Sequence, residues 1–178
     1  MFQLVIDKEI KLLLVQPSFA PRYVALADEN YEYLSQWLAW PRFCKTEQDF
    51  KQFVKNSLTG YADGKSMTCA IEYLGEIVGN CSFNTINYDL QSVEIGYWIG
   101  EKYQGKGIVT RVCRFLIDYA FTELNMNKIQ ISVAEGNSPS RLVCERLNMR
   151  LEGIITNTEK IADNILSHAV YGIHKAES

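Results

Sequence analysis

Apolar positions along this chain recur with two different periods, and the changes of period mark out its elements. Near the start, Ile10, Leu12 and Leu14 alternate with Lys11 and Leu13, so residues 1–15 read as one or two edge strands. Pro17-Ser18 offers a helix start, and Phe19, Tyr23 and Leu26 follow at helical spacing. A second short helical piece from about Asn30 carries Tyr31, Leu34 and Leu38 along one face. It ends at Trp40-Pro41, because the residue before a proline disfavours the helical region. Thr46 and Asp49 have the spacing of a capping box, and Phe50, Phe53, Val54, Ser57, Leu58 and Tyr61 keep the helical period behind it. After Gly64 the character turns to strand. Residues 67–73 and 77–88 form an antiparallel hairpin around Leu74-Gly75-Glu76, and residues 92–99 add a third strand to make a meander.

The second half changes period more often. Ile108, Val112, Phe115, Leu116 and Tyr119 mark the buried face of a helix that runs to about Leu124. Ile129, Ile131 and Val133 alternate with Gln130 and Ser132 as in a half-buried strand. Asn137-Ser138-Pro139 joins a small polar cap to a proline at a helix start, and that helix ends near Asn148, a residue that tolerates the left-handed conformation. Residues 153–158 and 168–174 fit a closing hairpin. No repeat, low-complexity tract or linker interrupts the pattern, so residues 1–178 read as one α+β domain.

Composition narrows the function classes. Of 178 residues, 47% are hydrophobic and 22% charged, as in an ordinary globular protein. A net charge of −3 argues against direct binding of nucleic acid through a broad basic surface. The odd set Cys44, Cys69, Cys81, Cys113 and Cys144 has no C-x-x-C pair and fits reduced thiols in a cytoplasm. The only histidines, His168 and His174, leave no clustered metal site to propose. The apolar run 10–15 contains Lys11 and stops before Pro17, too short to span a membrane. A cytoplasmic location with no membrane partner is expected.

One stretch carries the chemistry. The strand of residues 93–99 runs into a short polar segment holding Gly105 and Gly107, and an amphipathic helix begins at once. Strand, glycine loop and helix aim free backbone N–H groups and a helix dipole at an anion, best a phosphate or pyrophosphate. An ordinary turn before a helix is the competing reading. Trp37, Trp40 and Phe43 crowd the break at Pro41, either as core or as the wall of a substrate entrance.

The order Glu94-x-Gly96-Tyr97-Trp98, Gly105-x-Gly107, Asn137-x-x-Ser140 and Glu152-Gly153 resembles the GNAT superfamily of N-acetyltransferases, in its RimJ/RimL and YdaF-like branch. The resemblance spans nearly the whole chain, from the W-L-A-W at 37–40 onward. It implies a mixed, mostly antiparallel sheet splayed after the fourth strand, helices on both faces, acetyl-CoA as cosubstrate and no metal. It places the diphosphate on the amides of Gln104, Gly105, Lys106, Gly107, Ile108, Val109 and Thr110. The pantetheine arm then runs beside Tyr97, Trp98 and Ile99, with Asn137 bonding to it or serving as a plain helix cap. The Gln or Arg usual three residues before the first glycine is Lys102 here.

The resemblance also supplies expected roles in acetyl transfer. Glu94 is the first candidate for the base, against a solvent-facing strand residue. Glu159 is the second, at the place where RimL-type enzymes carry an acid facing the substrate cleft, against an exposed hairpin charge beside Lys160. The aspartate usual before the last strand is Ser167. The tyrosine usual seven residues after the motif asparagine is Cys144, read as a buried helix residue. Ser140 is then the expected thiolate stabiliser, against a first-turn serine bonding its own backbone. The expected acceptor is a protein or peptide N-terminal α-amine. A small amine (polyamine, aminoglycoside or amino acid) and a non-catalytic acetyl-CoA sensor are the alternatives. Exposed strands of an opened sheet also allow a homodimer.

Overall fold

The computed structural model describes residues 2–175. The single-domain expectation extends to Met1 and to residues 176–178, which lie outside the described residues. An eight-stranded sheet runs in the order β1-β2-β3-β4-β5-β6-β8-β7. The N-terminal segment forms both strands allowed by its pattern, β1 (Gln3–Val5) and β2 (Ile10–Leu14). The meander follows as β3 (Met67–Tyr73), β4 (Glu76–Asn87) and β5 (Ser92–Ile99). β6 (Lys128–Ala134) lies parallel to β5, and β8 (Asn164–His174) inserts between β6 and β7 (Arg150–Ile161). Every pairing other than β5 with β6 is antiparallel.

Helices cover both faces. α1 (Ala20–Glu29) and α3 (Glu47–Ala62) pack together, with Tyr23 stacked on Phe50 at 5.5 Å between centroids. Asn80 of β4 donates to the Tyr23 hydroxyl at 2.9 Å, so α1 sits on the face to which Asn80 points. Three residues on, Phe83 points to the opposite face and stacks on Tyr119 of α4 (Ile108–Thr122) at 6.4 Å. α5 (Ser138–Arg146) shares that second face, its Arg141 donating to the Tyr171 hydroxyl at 2.9 Å. The capping box at Thr46 and Asp49 forms with both reciprocal bonds. Asn148 takes the left-handed conformation just beyond α5, with φ 57°.

Two elements differ from the sequence pattern. α2 (Tyr31–Leu34) is a single turn that leaves out Leu38, although the Leu38 N–H still bonds the Leu34 carbonyl in the turn that follows. The closing hairpin is longer than its pattern shows. Most of β7 is exposed on both faces, so alternation has little to report there. Of the three aromatics near Pro41, Trp40 packs on Trp98 at 5.2 Å, whereas Phe43 is 79% exposed.

The splay falls between β5 and β6. They pair only from Ser92 with Lys128 to Ile95 with Ile131, and then part. β5 stays on β4 as far as Ile99, and β6 stays on β8 as far as Ala134. This is the fourth strand if the short N-terminal pair counts as one, in line with the expected opening. A clip ties the first turn of α4 to the N-terminal strand pair. Arg111, in the first turn of α4, donates to Asp7 at 2.9 Å and Glu9 at 2.8 Å in the turn between β1 and β2.

The Asp7 carboxyl titrates below its ordinary range, chiefly because the Glu9 backbone N–H donates to it, with the Ile10 amide and Arg111 adding to this. A group with a depressed folded pKa stabilises the fold above its unfolded value of about 3.9 and loses that contribution as pH falls. Asp7→Asn is therefore expected to cost about 0.5–1 kcal/mol at pH 7, and that cost to shrink progressively as pH falls below about 3.9. Thermal melts across that range check this, and a difference that persists unchanged at pH 3 contradicts it.

Candidate active site

The wedge opens into a cavity of about 400 Å³. Its walls are α2 with Trp37 and Leu38, the free edge of β5, the glycine loop with the first turn of α4, and the free end of β6. The start of α5 and the pair Glu159 and His168 from the β7–β8 hairpin complete it. Because β6 has left, residues 97–99 have no strand on that side. Their backbone groups are a row of donors and acceptors available to an extended ligand.

The glycine loop is built for an anion. Gly105 and Gly107 have φ of +72° and +71°, a region that other residues enter only with strain. A Cβ added at either meets no atom within 4 Å, so both face open space. Gly107 is also the N-cap of α4 and provides no side-chain bond to its first turn. The unsatisfied first-turn N–H groups and the positive end of the helix dipole therefore face the cavity. Gln104 lines it too and donates to the Tyr33 hydroxyl. Lys106 is not among the lining residues, and its ammonium lies over the rings of Tyr73 and Tyr103 at 5.8 and 5.5 Å.

The open end of β6 is followed by α5, whose N-cap Asn137 accepts from the Ser140 backbone N–H at 3.3 Å. Asn137 also lines the cavity, so the same residue caps α5 and borders the open space. Ser140 lines it in the first helical turn. The Tyr97 hydroxyl donates to the Ser140 carbonyl at 3.4 Å, and burial holds that phenol well above its ordinary range, fixing it as a proton-bearing donor. Cys144 is buried with its thiol pushed up to about 12, which fits a packing residue. All five cysteines are free.

The two proposed acids separate. Glu94 shares the Gly96 and Trp98 face of β5 but is not among the cavity-lining residues. It is tied down by Gln130 at 3.3 Å and by Asn84 at 3.4 Å, whose side chain covers Gly96. Glu159 does line the cavity. The β7–β8 register shifts between Ile155 and Glu159, and Glu159 Oε2 lies 3.2 Å from His168 Nε2. His168 Nδ1 lies 3.1 Å from the Ser132 hydroxyl, another cavity residue.

Sequence reasoning did not single out Ser132, His168, Tyr33 or Arg146 as cavity residues. The nearest signal was His168 standing beside the serine that replaces the usual aspartate. Among the described residues, no group of three or more His, Cys, Asp or Glu is placed to hold a metal ion, and no helix is long and apolar enough to cross a membrane.

Comparison with known proteins places this arrangement. Residues 11–150 match the family model described as an acetyltransferase (GNAT) domain. The chain belongs to the GNAT acetyltransferase family. It is 33% identical over 154 residues to the putative ribosomal N-acetyltransferase YdaF of Bacillus subtilis, covering 86% of this chain and 84% of that protein. It is 27% identical over 158 residues to the ribosomal-protein-serine acetyltransferase of Escherichia coli, covering 89% and 88%. The structure of the Microcin C7 self immunity acetyltransferase MccE in complex with acetyl-CoA and AMP superposes with a TM-score of 0.91 at 27% identity, covering 96% and 94%.

This GNAT chain is thus an acetyl-CoA-dependent N-acetyltransferase, and its cavity fits the cosubstrate. Open space over two left-handed glycines suits a diphosphate, and the free strand edge suits the amides of an extended arm. Arg146 adds a cation to the lining for an anionic part of the coenzyme. Gly107→Ala puts a methyl group into the diphosphate space and strains the cap. It is expected to weaken acetyl-CoA binding at least tenfold, or about 1.4 kcal/mol, by titration calorimetry. Unchanged affinity contradicts the placement.

Proposed function

We propose that this N-acetyltransferase acts on the N-terminal α-amine of a protein or peptide, within a single catalytic domain and in the cytoplasm. The observation that carries the reading is a second hollow of about 360 Å³ beside the main cavity. Tyr31, Glu32, Ser35, Gln36 and Arg42 wall it on one side, and Ile161, Asn164 and Leu166 of the hairpin on the other. Both hollows take walls from α2 and the β7–β8 hairpin, with no residue common to the two, and the second offers a surface on which the chain behind the amine can lie. One glutamate and one arginine give this tract a mixed lining. A polyamine or aminoglycoside is better held by clustered acids. The names of YdaF and the E. coli relative, both ribosomal acetyltransferases, support the same acceptor class. An α-amine has an unperturbed pKa near 8 against about 10.4 for lysine, so it needs only a modest base.

In this reading the amine enters from the α2 side and meets the thioester at the free edge of β5. Residues 104–110 and Asn137 hold the coenzyme, while backbone N–H groups of residues 97–99 are available to the developing oxyanion. Ser140, at the positive end of α5, stabilises the departing thiolate. The base function belongs to the Glu159 side of the cavity, and Glu94 supports the open strand through Gln130 and Asn84.

Full-length protein with acetyl-CoA and a panel of amines, scored by release of free thiol, tests this. Short peptides with free N-termini are expected to turn over at least tenfold faster than spermidine or aminoglycosides. Ser140→Ala is expected to lower kcat by about 10²-fold with acetyl-CoA binding retained, whereas Glu94→Gln keeps most of the turnover. Preference for a polyamine redirects the acceptor, and no thiol release with any amine removes catalysis.

A further inference from the structure

One polar chain in the cavity is left unused by the roles assigned so far. His168 of β8 bridges Glu159 of β7 and Ser132 of β6, with Nε2 3.2 Å from Glu159 Oε2 and Nδ1 3.1 Å from Ser132 Oγ. All three line the main cavity, and Ser132 stands on β6 just past its last pairing with β5. Ser132, Ala134 and His168 share one sheet face, since Ala134 is the cross-strand partner of His168. Glu94, Gly96 and Trp98 use that same face on β5, because Gln130, two residues before Ser132, bonds to Glu94. It is the α1 side, where Trp98 meets Tyr23 and from which the acceptor enters.

For a neutral His168 imidazole, donor counting sets the direction of the chain. A carboxylate only accepts, so the bond to Glu159 puts the ring proton on Nε2. Nδ1 then holds a lone pair and accepts from the Ser132 hydroxyl. A hydroxyl that donates inward has its own lone pairs turned to the cavity, ready to accept from an incoming N–H. We infer that Ser132 and His168 form the proton exit of the reaction, Ser132 taking the proton of the attacking amine while His168 takes that of Ser132, with Glu159 orienting the ring. The inference rests on the α-amine acetyl-transfer reading and assigns its base to the imidazole, with Glu159 as the positioning residue.

The step balances. The amine lone pair forms the C–N bond to the thioester carbon, and the C–S bond breaks with its electron pair leaving as the coenzyme thiolate. The surplus N–H proton moves to Ser132 Oγ as the Ser132 proton moves to Nδ1. The resulting imidazolium is held against the Glu159 carboxylate and returns its proton to water. The thiolate takes up a proton from water at the Ser140 side. Glu159 from β7 bonds His168 directly; the other charged or titratable groups of the lining are Tyr33, Tyr97, Tyr103 and Arg146, and Glu94 lies on the same sheet face outside it.

Two measurements on the full chain decide the matter. Long-range proton–nitrogen NMR of the uniformly labelled protein reads the His168 tautomer directly, without substrate. The Nε2–H form is expected in the parent and in Ser132→Ala, and its loss in Glu159→Leu, whose side chain cannot accept. An Nδ1–H form in the parent overturns the proton exit, whatever the activity. The second measurement is kcat against pH with acetyl-CoA and the best peptide of the panel. His168→Gln is expected to lose at least 10²-fold in kcat with KM for acetyl-CoA changed less than threefold, and to lose the alkaline rise of the parent. Ser132→Ala is expected to lose 10–10²-fold, and Glu159→Gln to be slowed while keeping that rise. If the rise persists in His168→Gln and vanishes in Glu159→Gln, the proton goes to the carboxylate and the inference fails. A parent inert toward every peptide instead defeats the acceptor reading, and the tautomer still reports on the inference.

Discussion

Everything in this molecule depends on one interrupted pairing. Among the described residues β5 and β6 are the only parallel neighbours, and they stay together for four residue pairs before separating. A sheet does not give up backbone hydrogen bonds inside a protein without something to take them. Here each strand keeps its other neighbour, so the opening is held from both sides, by β4 on β5 and by β8 on β6. In the proposed binding mode the free edge of β5 serves the cosubstrate, whose own amides take up the pairing that β6 abandons.

The wedge also sorts the chemistry by face. Toward α4 and α5 it presents helix N-termini, the left-handed glycines and Arg146, which together suit phosphates and a leaving thiolate. Toward α1 and α2 it presents Trp98, Trp37, Ser132, His168 and Glu159, a setting for a neutral amine and its departing proton. The two halves of the reaction meet only where the strands part. The β7–β8 hairpin matters for this reason. Its register shift near Glu159 turns a carboxylate from an otherwise exposed strand toward the acceptor side.

Features whose partners lie close in sequence were legible from the sequence. The capping box joins Thr46 to Asp49, Asn137 caps Ser140, and the two glycines sit directly before α4. The resemblance to RimJ/RimL-type enzymes carried the acetyl-CoA reading and the splayed sheet. Contacts made by non-local pairing could not be read. Ser132 and His168 meet because β8 inserts between β6 and β7, and nothing in either segment announces that order. Glu94 matched its motif, yet its carboxylate is held by Gln130 and Asn84 outside the cavity lining. α2 stops at Leu34, well short of Trp40, and hydrophobic spacing does not register that end.

The central claim is that the parted strands and the α4 N-terminus form one coenzyme site. A crystal structure with coenzyme A bound tests it most directly. The account predicts the diphosphate on the amides of residues 104–110 and the pantetheine arm hydrogen-bonded along residues 97–99, with β5 and β6 still apart. Coenzyme bound elsewhere, or β5 and β6 paired through to their ends, would contradict it.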